Sequence, residues 1–143
     1  MSSGYVINTD WMKKNRAVAV RYFRAITKAS VFVQHNPTDA IKVHWKISPI
    51  SKKLGKKADQ EQQLRDMTHV LKARLRSVVP YKGPSTKFGR MEKSDWEATM
   101  GFYLKTGAIE ANVDLDKVFT NELVEEANKI DHARIIQMAK NYK

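Results

Sequence analysis

Hydrophobic residues in this chain recur mostly at the three- and four-residue spacing of amphipathic helices, with one short run that reads as a strand. That run, Gly4-Tyr5-Val6-Ile7-Asn8, is rich in β-formers and bounded by polar residues, which predicts a strand over 4–8. Thr9 and Asp10 offer side-chain oxygens to free backbone N–H groups, so a short helix is predicted over 10–15 with Asn15 as its stop. Over 16–35, Val18, Tyr22, Ala25, Ile26, Ala29, Phe32 and Val33 form an apolar stripe, with Arg21, Arg24 and Lys28 on the opposite face. Asn36-Pro37 ends that helix and opens the next, over 37–47. Proline suits the first helical position, Asn36 can cap, and Asp39 sits in the positive first turn. Ala40, Ile41, Val43, His44 and Trp45 lie on this helix, which stops before Pro49.

A basic, glycine-containing loop is predicted over 52–57, followed by a long helix over 59–78. Its apolar stripe is Leu64, Met67, Leu71, Leu75 and Val78, with Arg65, Lys72 and Arg76 outside. Pro80, Gly83, Pro84 and Gly89 mark the longest loop, over 80–90. Ser94-Asp95-Trp96-Glu97 has the form of a capping box and predicts a helix over 94–106. That helix carries Trp96, Met100, Tyr103 and Leu104, with Gly107 at the left-handed stop. Shorter helices are predicted over 121–127 and 131–142. The fold class is therefore mainly α, about seven helices plus one short N-terminal strand, in a single helical region over 1–143. An isolated strand is unstable, so the pattern implies a strand partner outside this chain.

Composition adds charge to this picture. The 143 residues carry a net charge of +11 and no cysteine. The charge is uneven: up to Lys93 there are 20 Lys/Arg against 6 Asp/Glu, and from Ser94 onward 6 against 9. Such a split suits either a solvated surface or contact with nucleic acid or a membrane surface; its spread over several elements favours the solvated surface. No apolar run approaches the roughly 18 residues of a transmembrane helix, and the polar start lacks the features of a secretory signal. Without cysteine there is no disulfide, thiolate zinc site or cysteine nucleophile.

Catalytic chemistry finds no footing. His35, His44, His69 and His132 show no metal-binding spacing, and no metal or cofactor is expected. Glu125 and Glu126 are adjacent and point in different directions on a helix, a poor arrangement for paired acid/base work. No nucleophile elbow, Walker loop or dinucleotide-binding fingerprint occurs, and the reading is not an enzyme. Nucleic-acid binding has Arg16, Arg21, Arg24, Lys28 and the 52–57 loop in its favour. Against it, Phe23, Phe32 and Trp45 lie at core spacing and do not interleave with the cations as stacking platforms. Nucleic acid is not the expected partner.

Several separated stretches together resemble one family. Gly4-Tyr5-Val6-Ile7-Asn8 with Trp11-Met12-Lys13-Lys14-Asn15, then Asn36-Pro37-Thr38-Asp39-Ala40, then Phe88-Gly89-Arg90-Met91 with Trp96, occur in this order. Tyr103-Leu104-Lys105-Thr106-Gly107-Ala108-Ile109 follows, and Val113-Asp114 through Phe119-Thr120-Asn121-Glu122-Leu123 is the most specific. In order and spacing they look like the C-terminal part of type II periplasmic solute-binding proteins of the thiamine-pyrimidine, sulfonate and nitrate group, and the resemblance covers nearly the whole chain.

The resemblance implies that this chain is the C-terminal helical portion of a two-lobed α/β periplasmic-binding-protein fold. Residues 4–8 would be a hinge strand, and Tyr5 and Asn8 would be the ligand-binding candidates, since hinge strands border the cleft. The implied partners are a small-molecule solute and an ABC permease, and the implied location of the intact protein is periplasmic or extracytoplasmic. Intact members are about twice this length, and the half carrying their export signal and most ligand contacts has no counterpart here. A eukaryotic branch that makes the thiamine pyrimidine uses a cysteine-rich motif, which this chain lacks. Apolar helix faces shaped for a sheet would drive homo-oligomer formation if left uncovered. The alternatives are a basic helical module for nucleic acid or acidic partners, and a truncated product with no retained activity.

Overall fold

The computed structural model describes residues 4–48, 59–78 and 87–142. Among them lie seven α-helices: α1 (Thr9–Lys14), α2 (Arg16–His35), α3 (Pro37–Ile47), α4 (Gln60–Val78), α5 (Lys93–Lys105), α6 (Val124–Ala127) and α7 (His132–Asn141), with a 3-10 turn at Leu115–Lys117. The mainly helical class therefore stands. The 52–57 loop and most of the 80–90 loop lie outside the described residues. The chain packs as two units, Met1–Arg24 with Lys87–Lys129, and Ala25–Thr86 with Ile130–Lys143. Helix α2 is shared, its residues to Arg24 belonging to the first unit.

Residues 4–8 are not a strand. Asn8 is extended (φ −69°, ψ 122°), but no strand exists among the described residues to give the segment a ladder. Asn8 also corrects the expected start of α1. Its Oδ1 accepts from the Trp11 N–H at 2.9 Å, so Asn8 caps the helix in place of Thr9 or Asp10. Asn15 ends it, its N–H bonded to the Trp11 and Met12 carbonyls.

The first unit's core is Met12, Ala19, Val20 and Leu123, with Ile7 and Phe23 packed against it. In α2 the buried line is Ala19, Val20, Thr27 and Val31, rotated from the expected stripe, while Val18 and Tyr22 are exposed. The rotation has a polar cause as well as an apolar one. Arg24, expected on the solvent face, is half-buried and donates to the Glu126 carbonyl through Nη2 at 2.9 Å. Small or β-branched side chains then fill the line that faces inward.

Helix α5 starts one residue before the predicted capping box. Glu92 is its N-cap with no side-chain cap bond, and Ser94 lies inside the first turn. Two contacts fix that turn over the 3-10 turn: Lys93 pairs with Asp116 at 3.6 Å, and Trp96 stacks on Phe119 at 5.3 Å with planes 4° apart. The other end follows expectation. Gly107 has φ +70°, its N–H bonds to the Leu104 carbonyl, and the Ala108 N–H reaches the Tyr103 carbonyl at 2.9 Å. This is a Schellman stop, and the left-handed φ is why glycine occupies it.

In the second unit, Asn36 behaves as the sequence predicts. Its Oδ1 accepts from the Asp39 N–H at 3.1 Å, with Pro37 opening α3. Its Nδ2 donates to the Ala139 carbonyl at 2.8 Å, tying the cap of α3 to α7. Ile41, Val31, Thr27 and Ala139 are buried. Helices α3 and α4 pack together, with Thr38 Oγ1 and Thr68 Oγ1 3.5 Å apart. Asp131 caps α7 by accepting from the Arg134 N–H at 2.9 Å.

Candidate functional site

The two ligand-binding candidates lie in the first unit, in the segment leading to α1. Tyr5 is exposed, and its ring stands edge-on to Tyr22 at 6.2 Å and to Phe23 at 5.5 Å. Tyr22 and Phe23 are themselves perpendicular at 5.5 Å, so three rings form one aromatic corner. Edge-to-face geometry directs the positive ring edge of one residue at the negative face of the next. The corner presents the phenols of Tyr5 and Tyr22 at the surface, with Phe23 half-buried behind them. Such a surface can stack a planar solute or take an apolar one, with phenol hydroxyls to orient it.

Asn8 is placed differently. Its Oδ1 is occupied by the cap of α1, so the residue's first role is structural. The structure brings Tyr5 to two rings that sequence reasoning did not select, Tyr22 and Phe23. Periodicity places Tyr22 on the apolar stripe of α2, a core position, so no periodic signal marks it as a surface ring.

A second arrangement organises the same unit. Asn121 Oδ1 accepts from the Met91 N–H at 2.9 Å and Asn121 Nδ2 donates to the Met91 carbonyl at 2.8 Å. Asn128 does the same to Phe88, at 2.8 and 2.9 Å. Two side-chain amides thus hold both ends of the Phe88-Gly89-Arg90-Met91 turn, in which Gly89 adopts φ +82°. Asn121 is also why α6 starts at Val124 instead of near 121: its side chain is turned to Met91, and its carbonyl accepts from the Val124 N–H.

Ion pairs give the charge asymmetry a structural meaning. Arg16 pairs with Glu126 and with Glu122 at 3.8 Å, Lys87 with Glu125 at 3.2 Å, and Lys93 with Asp116 at 3.6 Å. Each joins the basic earlier part of the chain to the acidic later part. Arg16 and Arg24, candidates for a phosphate-binding stripe, are thus engaged within the unit. The pairs are solvent-exposed and contribute little individually, on the order of 0–1 kcal/mol each.

The histidines fall on α2, α3, α4 and α7, and His35 Nδ1 lies 2.9 Å from the Val31 carbonyl. Among the described residues no group of three His, Cys, Asp or Glu could hold a metal ion, and no helix is long and apolar enough to cross a membrane. Comparison of the chain with protein-family models, with curated proteins and with solved structures returns no match.

Proposed function

We propose that this chain is the C-terminal, helical portion of a two-lobed solute-binding protein serving an ABC-type importer, and that it works by binding and not by catalysis. The observation that carries the reading is the segment over 4–8. It is rich in β-formers and outside any helix, Asn8 at its end is extended, its Val6 is fully exposed, and no strand among the described residues pairs with it. A segment of this kind is stable when a neighbouring sheet supplies hydrogen bonds and covers its side chains. A hinge strand returning to a first lobe has that character. The clamped 88–91 turn supports the same reading, because it joins two separate stretches on which the family resemblance rests.

In this reading the aromatic corner of Tyr5, Tyr22 and Phe23 borders the cleft, and the solute is a small organic or anionic molecule such as a thiamine pyrimidine or a sulfonate. Asn8, with its Oδ1 held by the Trp11 N–H, offers the solute Nδ2. The test is the natural gene product. An antibody raised against α7 should detect a species about twice the 16.4 kDa of this chain, in the extracytoplasmic fraction. That species should be stabilised by one of thiamine pyrimidine, taurine, an alkyl sulfonate or nitrate, by about 2.7 kcal/mol at a hundredfold excess over Kd. A cytoplasmic species of 16.4 kDa that responds to none of them overturns the reading.

A further inference from the structure

We draw no further inference here: the strongest candidate, the surface patch of exposed cations Arg65, Lys72 and Arg76 on α4, carries none, because nothing in the structure shows what covers it.

Discussion

Asn121 holds Met91 by both of its backbone groups, accepting from the N–H at 2.9 Å and donating to the carbonyl at 2.8 Å. A side-chain amide has the same donor and acceptor as a peptide unit, so it can substitute for a neighbouring strand. Asn128, itself buried, repeats the arrangement on Phe88 and donates as well to the Val124 carbonyl at 2.8 Å. The turn between the two clamped residues is thereby held by side chains from a region thirty to forty residues away.

Replacement of Asn121 by alanine leaves the Met91 N–H and carbonyl without partners in a half-buried setting. The expected loss is about 2–3 kcal/mol in urea unfolding. Asn121→Asp keeps the acceptor but faces the Met91 carbonyl with a second oxygen, and should also destabilise. An alanine variant within about 0.5 kcal/mol of the parent would show that the clamp is not structural.

Two glycines of the α5 region should respond in opposite directions. Gly107→Ala places a Cβ at φ +70° and should lower stability by roughly 1–2 kcal/mol, with Gly107→Asn milder. Gly101 lies within α5, and a Cβ there meets nothing within 4 Å. Gly101→Ala should raise stability by about 0.5–1 kcal/mol, read as a higher Tm.

Asp39 makes the second unit sensitive to acid. The Lys42 ammonium at 2.8 Å, and next the Asn36 amide at 2.7 Å, hold its carboxyl below the ordinary carboxylate value. A carboxyl whose folded pKa lies below its unfolded one adds stability above the unfolded value of roughly 4, and that contribution is lost as pH falls through the folded pKa. Asp39→Asn should therefore destabilise at pH 7 and differ little from the parent at strongly acidic pH. Chemical denaturation at both pH values measures this, and an equal difference at each would refute the assignment.

The stack of Trp96 on Phe119 seats α5 on the 3-10 turn. Trp96→Ala should cost about 2–4 kcal/mol, whereas Trp96→Phe retains an aromatic pair and should cost less than half as much. Thermal unfolding followed by far-UV circular dichroism reads both, and equal losses would mean that a retained aromatic ring does not hold the seat.

Much of the helical framework was legible because its signals are local. Asn36-Pro37 starts α3, Asn15 ends α1 and Gly107 stops α5, each through bonds spanning a few residues. Local signals misled where a side chain had a distant use. Asn121 reads as a helix start, yet its amide turns to Met91. Ser94 reads as a cap, yet Lys93 and Trp96 are held by Asp116 and Phe119, so α5 begins before it. Tyr5 is a candidate only through the family resemblance, and the two rings beside it, Tyr22 and Phe23, emerge only from the structure.

The sequence by itself determined the helices, most of their ends and the excess of positive charge, because propensity, capping and composition act over one or two turns. Tertiary structure alone decided which face of α2 is buried, what Asn121 and Asn128 hold, and which cations are neutralised. Those outcomes depend on groups about 30 to 110 residues apart meeting within a few ångström, and spacing along a chain does not encode such meetings. The same pairing explains the final distribution of charge: the acidic later segment folds onto the basic residues of its own unit, and the second unit is left positive.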